Sequence, residues 1–152
     1  MKLIDQQIKQ FAHIHWADNE AVRALKEAGI TGGKPLSLLG HIAAAEKVWL
    51  GRINGSEGAP YPVWPEIGLA ECERLLAENK QGYDDLLGRL TDERLTETIE
   101  YRTSMGTEFR TSVIDILTHV FLHGSYHRGQ IAMLLRNEGA DPLITDYILF
   151  VR

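Results

Sequence analysis

Residues 118–131 read THVFLHGSYHRGQI and carry three of the chain's six histidines, His119, His123 and His127, at a constant spacing of four. On an α-helix each step of four residues turns about 400°, so the three rings lie along one slowly drifting stripe. Two histidines at i and i+4 reach a single metal ion, because their side chains leave the same face one turn apart. The outer pair is about 12 Å apart along the axis, too far for all three to share one ion. One histidine must therefore have another task, and a tight site needs a ligand from a second helix. Spacing alone leaves open which two are the pair.

Helical periodicity continues on both sides of this stretch. A helix is expected from about Ser112 to Asn137, with Gly139 as its stop. Upstream, Leu3, Ile4, Ile8, Phe11, Ile14, Ala21, Val22 and Leu25 predict a first helix that ends at Gly29. A second is expected from Pro35 or Ser37 to Ile53, with Leu38, Leu39, Ile42, Ala45, Val48 and Trp49 inside. A third runs from about Leu69 to Leu90 through Cys72, Leu75, Leu76, Asn79, Tyr83, Leu86 and Leu87. The segment NGSEGAPYPVWPEI, residues 54–67, is broken by Gly and Pro and reads as an irregular connection whose Tyr61 and Trp64 pack over a bundle end. Ile99, Tyr101 and Thr103 alternate with charged residues before the turn at Met105-Gly106, which predicts a short β-hairpin. The tail TDYILFVR is apolar and suits a short helix or an extended strand. Four long amphipathic segments indicate an all-α, four-helix-bundle fold with a short hairpin before the last long helix, in one domain over residues 1–152.

Composition narrows the function classes. Hydrophobic residues make up 44% and charged ones 24% of 152 residues, the balance of a globular domain. The net charge of -5 offers no basic field for a phosphate backbone, so nucleic acid is not an expected partner. No apolar run has the roughly 20 residues of a membrane span, and the polar N-terminus does not read as a secretion signal. With Cys72 as the single cysteine, neither an internal disulfide nor a thiolate metal cage is available. Together these signs favour the cytoplasm.

His41 is the natural second-helix ligand, because it shares a stripe with Leu38, Ala45 and Trp49 that should face the core. A neutral imidazole so placed needs a partner for its ring nitrogens, and a metal ion is one. Three neutral imidazoles with an open fourth position form the pattern of a catalytic divalent-metal site. Imidazole suits zinc, nickel, copper and iron alike; zinc and nickel are the expected ions here. His13 and His15 stand two apart and read as first-helix residues without ligation. Trp16, Trp49 and Tyr83 read as bundle core, Met105 as a turn residue, Met133 as core filler and Cys72 as a small core residue. Glu46 lies about 140° round the helix from His41, which points it to a neighbouring helix instead of the same ion. Gln130, three residues beyond His127, is placed to orient a ligand or bound water. HExxH, paired ExxH, GxSxG, P-loop and dinucleotide motifs are all absent.

Four blocks carry a resemblance. HIAAAEKVWLGRI (41–53) and HVFLHGSYHRGQIAMLLRNEG (119–139), flanked by HWADNEAV (15–22) and GADPLITDYILFVR (139–152), resemble the signatures of the DinB/YfiT-like proteins. That name denotes damage-inducible bundle proteins, unrelated to the DNA polymerase that shares the label. The resemblance covers nearly the whole chain, and HxxxHRGQ is its most specific part. It implies a four-helix bundle connected up-down-down-up, often a homodimer, with a divalent metal ion on three histidines. Carried over residue by residue, the ligands fall on His41, His123 and His127. His119 is then left over as a supporting or cavity-lining neighbour. Gly124 and Gly129 would permit close helix approach, and Arg128 would serve an interface or an ion pair. The resemblance further implies a thiol-dependent transferase or isomerase chemistry, with a low-molecular-weight thiol and a small electrophile as partners. The expected function is a metal-dependent enzyme, a thiol S-transferase or a hydrolase. The alternatives are a non-enzymatic metal-binding or stress-response protein and a dimeric structural module.

Overall fold

In the computed structural model, residues 1–56 and 60–152 are described. Helix α1 (Leu3–Glu27) buries Ile4, Phe11, Ile14, Ala21, Val22 and Leu25 on one face, as spacing of three and four requires. Gly29, at φ 67°, ends it in the left-handed region. Helix α2 (Gly33–Asn54) starts slightly ahead of the expected point, and Pro35 sits in its first turn, where no backbone N–H is needed. The expected irregular connection follows; Glu57, Gly58 and Ala59 lie outside the described residues, and 60–68 carries no helix or strand.

Helix α3 (Leu69–Arg89) buries Cys72, Leu75, Leu76, Asn79, Tyr83, Leu86 and Leu87. A single-turn helix, α4 (Asp92–Leu95), comes next; it has no counterpart in the sequence reading. Its Asp92 carboxylate accepts from Leu3 N and Ile4 N at 3.1 and 2.9 Å, capping the otherwise unsatisfied N-terminus of α1. Strands β1 (Thr98–Arg102) and β2 (Glu108–Ser112) pair antiparallel with Tyr101 opposite Phe109, and Gly106 at φ 79° makes the turn. Ser112 Oγ then accepts from Asp115 N and caps α5 (Val113–Asn137). The tail resolves as a short helix, α6 (Tyr147–Val151), whose Phe150 packs on Trp16. The described residues are thus mostly helical, with six helices and one two-stranded hairpin.

The four long helices form a ring in which α2 packs on α3 and α5, and α1 packs on the same two. Two apolar clusters share the interior. One gathers Ala21 and Leu25, Leu36 to Ala43, Cys72 to Leu76, and Ile131 to Leu135; the other gathers Ile4 to Ile14, Tyr83 to Leu87, and Val113 to Val120. Helices α1 and α5 therefore run from the second cluster toward the first. The order of residues along α3 runs the opposite way, and so does α2, whose Leu36–Ala43 lies in the first cluster and whose Trp49–Ile53 packs on the second. Each fully buried leucine, such as Leu39 or Leu117, contributes about 2 kcal/mol of burial energy.

Between the clusters lies a polar layer with one residue from each long helix: Asp18, Glu46, Asn79 and Arg128, all at most 4% exposed. Arg128 Nη1 donates to Asp18 Oδ1 at 2.8 Å, and Asn79 Nδ2 donates to Glu46 Oε2 at 3.1 Å and to the Ala43 carbonyl at 2.9 Å. Arg128 is therefore held in an internal ion pair, one of the roles expected for it. Two other expectations are corrected. Met133 is 54% exposed and fills no core, because the inward stripe of α5 passes through Ile131, Ala132 and Leu135. A Cβ on Gly124 would meet Arg128 Nη1 at 2.8 Å, so this glycine admits a side chain of its own helix, while Gly129 faces open space. Trp49, expected in the core, is half-buried: it packs against the second cluster and also borders the histidine group.

Candidate metal centre

His41 leaves α2 toward α5, and His123 and His127 leave α5 toward α2 from consecutive turns. Their ring centroids form a nearly equilateral triangle: 4.8 Å for His41–His123, 4.8 Å for His41–His127 and 4.5 Å for His123–His127. Three imidazoles bound to one ion at about 2.0–2.1 Å have centroids about 4.6–5.3 Å apart, depending on the bond angle. The ligand-type nitrogens all lie within 4.8 Å of one another, and no carboxylate or thiol joins this group among the described residues. His41 Nε2 and His123 Nε2 are 3.1 Å apart, close to the spacing of about 3.0–3.4 Å for two nitrogens sharing an ion.

The opposite ring nitrogens are already engaged. His41 Nδ1 donates to the Val63 carbonyl, and His127 Nδ1 donates to Gln130 Oε1 at 2.6 Å. Each bond fixes a tautomer with a bare Nε2, and that of His41 faces His123, the arrangement that second partners of metal-binding histidines impose. Burial, and then the neighbouring His127, His41 and His119 rings, pushes His123 down to about 4; burial likewise lowers His41. Both rings are therefore neutral near pH 7, which is the ligating form. By donor type, tautomer and spacing the group fits a divalent ion.

His119 lies one turn before His123, outside the triangle. It is exposed, with its ring centroid 5.5 Å from His123 and edge-on to Trp49 at 5.3 Å. His13 and His15 sit elsewhere: His13 is buried beside α6 with Nε2 2.7 Å from the Thr145 carbonyl, and His15 faces Asp84 at 3.9 Å.

Sequence reasoning missed the part played by the 60–68 connection. Trp64 stacks on His41 at 3.8 Å with the rings 4° from parallel, and Lys34 Nζ lies 4.7 Å above the Trp64 ring. The Pro65 carbonyl packs over Gly40, where a Cβ would stand in ordinary contact with it at 3.5 Å. The connection thus seals the His41 side of the group. Its only advance signal was an aromatic pair inside a Pro-rich stretch.

Fold and site together define a mostly helical protein whose three-histidine group is compatible with metal binding. The family model described as DinB family matches residues 8–152, and the chain belongs to that family. It is similar to "Protein DinB" of Bacillus subtilis (strain 168), at 27% identity over 125 residues, covering 75% of this chain and 70% of that protein.

Proposed function

We propose that the chain is a single-domain four-helix bundle, connected up-down-down-up, that holds one divalent metal ion, zinc or nickel, on His41, His123 and His127. The opposed directions of the long helices support that connectivity. The observation that carries the metal reading is the tethering of Nδ1 on His41 and on His127, which leaves both Nε2 atoms bare within a group of three clustered imidazoles. Gln130 orients His127, while His119 lines the rim.

Three protein ligands leave room for an exchangeable partner, so the favoured activity is metal-dependent: a thiol S-transferase or a hydrolase acting on a small electrophile. A divalent ion there would make a thiol or water that reaches it acidic enough to ionise near neutral pH. The chain itself contributes orientation, through Val63 and Gln130, and exclusion of water on the Trp64 side. A second reading, a non-enzymatic metal-binding or stress-response protein, is favoured by the lack of a carboxylate base in the group among the described residues. The homodimer finds support in Leu122, Tyr126 and Met133, which expose 59%, 67% and 54% of their surface along one side of α5.

Elemental analysis of untagged protein tests the proposal. About one equivalent of divalent metal is expected after exposure to zinc or nickel at neutral pH, and less than about a tenth of an equivalent would sink the site. His41→Ala and His123→Ala should each abolish tight binding while His119→Ala retains it. Equal loss in His119→Ala and His123→Ala would move the pair to His119 and His123. A thiol panel with a chlorinated nitrobenzene separates enzyme from binding protein; turnover that survives metal removal would dismiss the metal mechanism.

A further inference from the structure

Along α2, Ala45, Trp49 and Arg52 follow His41 at four, eight and eleven residues, which keeps them on one helix face. This face borders α5, first at His123 and then at His119. Trp49 meets His119 on one side and Tyr101 of β1 on the other, with centroids 5.3 and 5.2 Å away. The Arg52 guanidinium carbon lies 4.4 Å from the Trp49 ring and 4.9 Å from the Tyr101 ring. A continuous run of aromatic contacts therefore leads from the histidine group to a cation.

Among the described residues that cation has no carboxylate partner. Arg23, Arg74, Arg94, Arg102, Arg110 and Arg128 each have a carboxylate partner. Arg52 is half-buried, and its one hydrogen bond among the described residues is a long one, 3.4 Å from Nη2 to the Arg102 carbonyl. Burial consequently draws its pKa below the usual guanidinium range. The hairpin supplies no acid on this side. Its strand period puts Tyr101 and Phe109 on one face, while Glu100, Arg102, Glu108 and Arg110 share the other and pair among themselves. Guanidinium forks bind carboxylates in bidentate fashion, and a partly desolvated one binds them more strongly than an exposed one.

We infer that Arg52, seated between Trp49 and Tyr101, anchors a carboxylate of the ligand whose other end reaches the three histidines. The inference rests on the metal reading above. The ligand is an elongated molecule with a metal-binding head, an apolar or aromatic middle and an anionic tail. Eleven residues separate His41 from Arg52, about 16 Å of helix rise. Helix side chains tilt toward the N-terminus, so the long Arg52 side chain reaches back over Trp49 toward His41, and head and tail lie on the order of 10–15 Å apart.

The test uses the full chain loaded with Co(II), whose visible spectrum reports ligands arriving at the ion. The probes are ω-carboxyalkyl hydroxamates of increasing methylene number, each compared with its methyl ester. At one chain length the acid should bind at least about tenfold more tightly than its ester. Arg52→Met should abolish this preference while leaving cobalt affinity and binding of acetohydroxamate unchanged, and Arg52→Lys should keep part of it. Equal affinity of acids and esters at every length in the native protein would overturn the inference, whether or not the variants fold. A preference that persists in Arg52→Met would do the same. In both cases Arg52 would be a staple between α2 and the hairpin. Failure to take up cobalt would appear before any probe is added, and would overturn the metal reading itself.

Discussion

Glu46 Oε1 and Asp18 Oδ2 are buried, lack a conventional donor, and belong to two carboxyl groups in contact at the centre of the protein. A proton held by Glu46 and donated to Asp18 satisfies both atoms at once. Burial, and then the neighbouring Asp18, raises Glu46 well above the carboxylate range, consistent with a neutral acid. Asp18 is then the single anion that faces Arg128. Glu46→Gln, which preserves a donor and an acceptor, should hold urea-unfolding stability within about 1 kcal/mol of the native protein at pH 7, whereas Glu46→Ala should lose about 2–4 kcal/mol. Asp18→Asn leaves Arg128 charged and unpaired, and should cost about 3–5 kcal/mol. If Glu46→Gln proves as damaging as Glu46→Ala, the shared proton is wrong. None of this layer's pairing was legible in the sequence beyond the direction of Glu46 and a generic ion pair for Arg128. The partners come from four helices, and residue spacing within one helix carries no information about the others.

At the scale of elements, the long helices were legible because each obeys a 3.6-residue period over more than five turns, and the hairpin because alternation and a Met-Gly turn coincide. Single-turn α4 escaped notice: four residues show no period, and its role is to cap α1 from 89 residues away. The 60–68 connection was recognised as irregular, yet its Val63 carbonyl and Trp64 ring are what immobilise His41. Removing the stacked ring leaves His41 freer to rotate and opens its face to water. Trp64→Ala should thus weaken metal binding about 10–100-fold, the usual effect of losing a ligand's supporting contact, measured by competition with a chromophoric chelator. Its effect on stability should be small, since Trp64 is already 45% exposed. Unchanged metal affinity would show that the Val63 hydrogen bond positions His41 unaided.

For the whole molecule, the histidines and Glu46 pull stability in opposite directions as pH changes. Burial lowers His13, His15, His41 and His123 from 6.5, so between pH 6.5 and about 4 the unfolded chain binds protons that the folded chain refuses. Stability therefore rises with pH across that window. Glu46 acts the other way: above pH 4.5 the unfolded chain loses a proton that the folded one keeps, so its contribution falls as pH rises. Several histidines outweigh one carboxyl below 6.5; above it Glu46 acts first, joined near pH 9 by the Cys72 thiol, which burial pushes up to about 11. Metal-free protein should be most stable near pH 6.5–7, decline steeply in acid and gently in alkali, with the decline between pH 7 and 8 removed in Glu46→Gln. Urea midpoints from pH 4.5 to 9 check this, and a flat acid limb would contradict the neutral, buried histidines. No described helix is long and apolar enough to cross a membrane. By itself the sequence determined the long helices, the hairpin, the family and the candidates His41, His123 and His127, because all of these are written in local periods and short motifs. Only the tertiary structure decided which ring nitrogens are bare, what covers His41, where Arg128 finds its anion and what stands beside Arg52. Those properties depend on distances between segments far apart in the chain, and such distances exist only once the helices have packed.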